Sequence, residues 1–126
     1  MEFRRLTSTD LRSLLELYKQ LDTDNQCSVE QSESVWKEIE ADANIQYFGA
    51  VDDGKVLSTC YAVCIPNLTR NNRGICFIEN VITDKAYRRR GLASQVLDMA
   101  IAFAKDHSCY KVILQSGIGR TEAHQF

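Results

Sequence analysis

The sequence predicts an α+β fold with a mixed central sheet, in the element order β-α-α-β-β-β-α-β-α. Three observations lead there. Helical apolar spacing early in the chain gives way to three strand-like runs, the first two joined by Asp53-Gly54, a strong hairpin turn signal. The third run, ICFIENVIT, is nearly continuously apolar, as a strand covered on both faces would be. A helical stripe from Leu92 and a second β-branched run, CYKVILQ, then follow, which is the pattern of a right-handed β-α-β crossover.

Each element has its own signal. MEFRRLT reads as a short first strand. Leu11, Leu14, Leu15, Tyr18 and Leu21 recur at helical spacing, and Thr7-x-x-Asp10 is a capping signal for that helix. DTDNQC breaks the pattern. Ser28-x-x-Gln31 is a second capping box, ahead of a helix marked by Val35, Trp36 and Ile39. IQYFGAV is a strand, KVLSTCYAVCI its return strand, and Pro66 closes it. NLTRNNRG is polar and loop-like. ICFIENVIT is interrupted only by Glu79-Asn80, which alternation sends to opposite faces of the sheet. Leu92, Val96, Met99 or Ala100, and Phe103, widened by Ala93, Leu97, Ile101 and Ala104, make a helix apolar enough to require packing on a sheet. SGIGR is a turn, and TEAHQF begins something helical. Tyr110, just before its strand, is expected in the core.

With 126 residues and 44% hydrophobic composition, residues 1–126 fit one domain with one core. The net charge of −2 gives no global attraction to nucleic acid. Five cysteines (27, 60, 64, 76 and 109), an odd count without C-x-x-C, read as free thiols in a reducing compartment, and their spacing gives no zinc site. MEFRRLTSTD has no apolar stretch of signal-peptide type and no run approaches a membrane span, so a cytoplasmic protein without membrane contact is expected.

The segment AYRRRGLASQVL, residues 86–97, crowds three arginines where a helix starts. A helix N-terminus already carries partial positive charge, so the crowding needs an anion to explain it. Gly91 lets backbone approach a ligand closely, Ala93 keeps the next approach small, and first-turn N–H groups have no partner inside the helix. Together with the guanidiniums these make a phosphate site, suited to a pyrophosphate. The plainer alternative is a solvated basic run before an ordinary helix. The segment has neither G-x-G-x-x-G nor a P-loop lysine.

Arg88-x-x-Gly91-x-Ala93 resembles the Q/R-x-x-G-x-G/A signature of the GCN5-related N-acetyltransferase (GNAT) family, and the order of elements is that family's over nearly the whole chain. The resemblance implies a sheet of GNAT type, with acetyl-CoA as acyl donor and no metal. Arg88, Arg89, Arg90, Gly91, Leu92, Ala93 and Ser94 would cradle the pyrophosphate, mostly through backbone N–H. Val81, Ile82 and Thr83 would pair with the pantetheine arm like an added strand. The two central parallel strands would splay around the cofactor, with Ile78, Val81 and Leu114 at the opening or its floor.

The implied reaction is direct acyl transfer from a thioester to a primary amine of a small molecule or protein. Such an amine is mostly protonated at neutral pH, so a base helps. Glu79, interrupting an apolar strand beside the pantetheine segment, is the expected catalytic base, its pKa raised by burial; alternatively it is an edge carboxylate or an arginine's partner. The backbone N–H near Val81 or Ile82 is the candidate donor to the carbonyl oxygen. Gln115 and Asn80 are candidate substrate-side polar groups, and His124 could touch the nucleotide. The acceptor pocket is expected from DTDNQCSVE and PNLTRNNRG, the former acidic through Asp22, Asp24 and Glu30 and so suited to a cationic amine, or simply solvated.

Family members commonly follow TEAHQF-like sequence with a tyrosine that protonates the thiolate, then two more strands. Phe126 is the last residue here, so the domain reads as C-terminally short and its turnover as impaired. An open edge on CYKVILQ would then favour a homodimer. The alternative function is a weak acyl-CoA-binding module that needs a partner subunit. A nucleic-acid binder is disfavoured by the acidic balance and the lack of aromatic interleaving around RRR.

Overall fold

The computed structural model describes residues 1–116 and 120–126, with side chains described for 1–114 and 126. Strands β1 (Glu2–Arg5), β2 (Ile45–Asp52), β3 (Lys55–Ile65), β4 (Gly74–Thr83) and β5 (Cys109–Ser116) form a mixed sheet in sequential order, extended at the β5 edge by β6 (Arg120–Gln125). Every neighbouring pair is antiparallel except β4 and β5, which run parallel. Helices α1 (Leu11–Tyr18) and α2 (Val29–Ala41) cover one face, and α3 (Leu92–Asp106), the crossover between β4 and β5, covers the other. The α+β class and the order of elements through β5 match the sequence reading.

Local chemistry accounts for the element ends. Thr7 N–H donates to Asp10 Oδ2 at 2.8 Å, ahead of α1. At α2 the capping box is complete: Gln31 N–H donates to Ser28 Oγ at 3.1 Å, and Ser28 N–H to Gln31 Oε1 at 2.7 Å. Asp53 and Gly54, at φ 50° and 75°, make the tight β2–β3 turn. Two cores result. Phe48, Ala62, Cys76, Ile78, Val96 and Phe103 pack between sheet and α3; Leu6, Leu14, Leu17, Trp36, Tyr47 and Val56 pack between sheet and α1/α2. All five cysteines are free thiols, four of them buried as small apolar side chains.

The structure corrects several expectations. Residues 120–125 form β6, antiparallel to β5, in place of a helix. So short a segment nucleates a helix poorly, whereas the edge of β5 offers a ready ladder. The β5 edge expected to stand open, and to draw two copies together, therefore carries β6. In NLTRNNRG, Arg70, Asn71 and Asn72 form one left-handed turn at φ 55–62°, at the N-terminal end of β4. Tyr110 is half-buried rather than core, with the Arg70 and Arg73 guanidiniums 5.6 and 5.9 Å from its ring. A further correction concerns Asn80 and belongs with the site. The expected SGIGR turn falls partly outside the described residues. Among the described residues no helix is long and apolar enough to cross a membrane.

Candidate functional site

The site begins where β4 leaves β5. The two strands pair from Gly74↔Cys109 to Ile78↔Leu114, and no pair follows. On the other side of β4 the ladder to β3 skips: Tyr61 faces Glu79, but Thr59 faces Ile82. Two residues, Asn80 and Val81, thus stand opposite Cys60 alone, and Asn80 takes φ 51°. This is a β-bulge. Alternation puts Glu79 and Asn80 on opposite faces; the bulge overrides it. Val81 packs with Ile78 and Leu114 on the α3 side, whereas Asn80 lines a cavity with Tyr18 and Trp36 on the α1/α2 side. Glu79 lies on that same side, its charge felt by its cross-strand neighbour Tyr61.

Beyond the bulge, the backbone of residues 79–83 has β3 on one side and no strand on the other. A cleft of about 460 Å³ opens there, lined by Val81, Ile82 and Thr83 on one wall and by Arg88, Arg89, Gly91, Leu92, Ala93 and Ser94 on the other. Gln20 and Leu21, at the end of α1, close its rim. Gly91 caps α3 in the left-handed region (φ 75°, ψ 12°), and no side chain caps that terminus. A Cβ on Gly91 would meet nothing within 4 Å. The first-turn N–H groups of α3 have no partner inside the helix and no capping side chain. Asp84 holds the approach to this turn, accepting from Ala86 N–H at 2.9 Å.

The predicted residues divide accordingly. Nine of them (Val81, Ile82, Thr83, Arg88, Arg89, Gly91, Leu92, Ala93 and Ser94) line the one cleft. Arg88 also donates from Nε to Thr83 O at 3.2 Å, tying the two walls together. Arg90 does not line the cleft; its guanidinium lies 5.0 Å from the centre of the Tyr87 ring. Glu79 is half-buried, not enclosed as the apolar run suggested. The side chains of Gln115 and His124 lie outside the described residues; by backbone, Gln115 pairs with Thr121.

A second cavity, of about 280 Å³, sits between α1, α2 and the sheet. Asp22, Asn25 and Cys27 of the α1–α2 loop are among its lining residues. PNLTRNNRG contributes nothing to it among the described residues, because it lies at the far end of β4. Leu21 lines both cavities, and Asn80 and Val81 are consecutive residues, one in each. Sequence reasoning missed the aromatic wall: Tyr47 stacks on Tyr61 (4.6 Å, 7°), and Trp36 meets Tyr47 edge-on at 5.4 Å. Alternation in YFGAV and CYAVC placed the tyrosines on one face; nothing local said that a helix from elsewhere would leave a gap over them.

Residues 10–126 match the model of the acetyltransferase (GNAT) family. The chain belongs to the GNAT family. It is 30% identical over 117 residues to a glucosamine 6-phosphate N-acetyltransferase of Trypanosoma brucei brucei, an alignment covering 92% of this chain and 80% of that one. The crystal structure of glucosamine-6-phosphate N-acetyltransferase from Arabidopsis thaliana superposes with a TM-score of 0.86 at 25% identity, over 93% of this chain and 82% of that one. A Trypanosoma brucei acetyltransferase superposes with a TM-score of 0.80 at 28% identity, over 93% and 83%. This GNAT chain is thus an N-acetyltransferase.

Proposed function

We propose that this GNAT protein transfers an acetyl group from acetyl-CoA to a primary amine, with the donor in the cleft between β4 and α3. The observation that carries the reading is the coincidence of two unsatisfied backbone rows in one cleft: the strand edge beyond the bulge and the first turn of α3. An extended, amide-bearing arm matches the first, because it can pair with Val81–Thr83 as a strand does. A pyrophosphate matches the second, where N–H groups, the helix dipole and the Arg88 and Arg89 guanidiniums converge. Gly91 leaves the space a phosphate needs, since no Cβ fills it.

The acceptor enters from the α1/α2 side, where Asn80 and the α1–α2 loop line the second cavity. Glu79, on that side of the bulge, takes the proton from the ammonium. The freed nitrogen attacks the thioester carbon; as the C–N bond forms and the C–S bond breaks, nitrogen loses a second proton, so that one of the two ends on sulfur and the other leaves Glu79 to solvent. The bulge also leaves Asn80 and Val81 without a register partner on β3, and the Val81 N–H is the proposed donor to the carbonyl oxygen as charge builds on it. Asn80 positions the acceptor, and Gln115 is proposed to do the same from β5.

Isothermal titration with acetyl-CoA and a thiol-release assay over a panel of amines test the reading together. Binding at micromolar or tighter concentration and amine-dependent thiol release are expected. Binding without release for any amine leaves an acyl-CoA-binding module; no binding refutes the cleft assignment.

A further inference from the structure

We infer that the acceptor is a small primary amine on an uncharged, aromatic body, and not a phosphorylated sugar. This rests on the acetyl-transfer reading above and specifies its acceptor.

Size is the first constraint. The second cavity, at about 280 Å³, sits at the lower end of the range for small-molecule pockets, about 300–1,000 Å³. It fits a compact amine and not a folded protein surface. Its position is the second. Leu21 is shared with the donor cleft, and Asn80 stands beside Val81, so a ligand filling this cavity ends at the β4 bulge. That is where Glu79 and the thioester carbon would be.

The lining sets the chemistry. Tyr47, stacked on Tyr61 and met edge-on by Trp36, presents an aromatic wall, and leucines of α1 face it. Flat apolar bodies pack well there. Two polar atoms are buried in this wall without partners: Tyr18 Oη and Trp36 Nε1. The Asn80 side chain approaches Tyr18 without completing a hydrogen bond. Neither atom is open to the cavity, so the wall presents its rings and not its polar atoms to a ligand.

Charge excludes the alternative. Among the described residues, no Lys, Arg or His lines this cavity; its single charged side chain is Asp22, at the rim. Burial holds the Tyr18 and Tyr47 hydroxyls neutral, their pKa values pushed well above the usual tyrosine range. An ammonium is drawn past Asp22. A phosphate dianion meets a like charge at the mouth and no counter-charge inside, which is costly in an apolar site.

The test is thiol release from acetyl-CoA with tyramine, 2-phenylethylamine and glucosamine 6-phosphate, with acetyl-CoA affinity titrated alongside. Both aromatic amines should exceed the sugar phosphate in kcat/KM by about 100-fold or more. Ser32→Phe, which fills the cavity from α2, should raise KM for both amines at least about tenfold and leave acetyl-CoA affinity unchanged. A preference for glucosamine 6-phosphate, or no turnover of either amine by protein that binds acetyl-CoA, overturns the inference and leaves the donor assignment standing. Failure to bind acetyl-CoA overturns both. An indifferent Ser32→Phe removes the cavity from the inference.

Discussion

Placing a carboxylate at Gly91 should abolish acetyl-CoA binding while the chain stays folded. Gly91 has φ 75° and ψ 12°, and a Cβ there meets no atom within 4 Å. Substitution therefore costs backbone strain but no clash, about 1 kcal/mol for leaving the region glycine favours. That corresponds to a fall in Tm of about 3–6 °C for a chain of this size. Gly91→Ala and Gly91→Glu share this cost, so the pair separates strain from charge. In Gly91→Glu the new carboxylate projects into the cleft lined by Arg88 and Arg89. It pairs with those guanidiniums itself and repels an incoming phosphate. At about 4 Å and an effective dielectric near 20, one such repulsion is about 4 kcal/mol, or about 1,000-fold in affinity. Isothermal titration of wild type and both variants, with thermal melts alongside, measures this. The expected result is a similar Tm loss in both variants, and an affinity loss in Gly91→Glu that exceeds that in Gly91→Ala by orders of magnitude and shrinks at high salt. A folded Gly91→Glu protein with unchanged affinity would refute the phosphate assignment.

Three further outcomes are expected. Glu79→Gln should lower kcat by about 100-fold or more with acetyl-CoA affinity intact, the deficit narrowing as pH rises toward the amine pKa of about 10.4; unchanged turnover at pH 7 removes Glu79 from the mechanism. Asp10→Asn should cost about 1.5–3 kcal/mol at pH 7 in urea unfolding, because Asp10, 3% exposed, accepts from Arg4 Nη1 and Nη2 at 2.8 and 2.9 Å. The Arg4 hydrogen bonds hold the Asp10 carboxyl below its usual range, so this stability is present above the unfolded pKa of about 3.9 and is lost as pH falls through the lower folded value; a wild-type–variant gap that does not close in acid contradicts it. Gly49→Ala should destabilise by about 1–3 kcal/mol, since its Cβ would sit 2.7 Å from Leu6 Cδ2 and 3.1 Å from Ser58 O in the packed core, and a denaturation midpoint equal to wild type counts against that packing.

What could be read from the sequence was whatever a short window determines. Asp53-Gly54 specifies its turn because both residues need positive φ, and Ser28 and Gln31 specify a helix start because each caps the other. RRRGLA pointed to a helix terminus that lines a cleft, since glycine and crowded charge are local signals. The unreadable parts depend on partners distant in the chain. Arg90 stacks on Tyr87 and leaves the cleft, a choice of rotamer that no motif encodes. Tyr18, Trp36 and Tyr47 come from three separate elements, and their gap exists only once α1 and α2 dock. TEAHQF carries a weak helical pattern, but the β5 edge pairs with it.

The bulge at Asn80 was the hardest feature to foresee, and it ties the two halves of the site together. ICFIENVIT reads as an uninterrupted strand, and an uninterrupted strand would keep pairing with β5. Pairing stops at Ile78↔Leu114, and the extra residue follows two positions later. The left-handed backbone of Asn80 is uncommon outside glycine, though asparagine bears it more readily than most residues. Such a conformation costs of order 1–3 kcal/mol and persists only where the surroundings impose it. Here they are tightly built: Cys60, opposite the bulge, is fully buried, and Ile78 before it is 2% exposed. The cost has three consequences at one point of the chain. It frees the edge of residues 79–83, moves Val81 to the α3 side, and sets Glu79 and Asn80 together on the α1/α2 side. A regular strand could do the first only by ending, which would take away the backbone that lines the cleft beside α3. It could not do the third at all, because alternation forbids consecutive residues on one face. The strained residue thus accounts for why the cleft beside α3 and the cavity under α1 and α2, on opposite faces of one sheet, share a boundary at a single peptide unit.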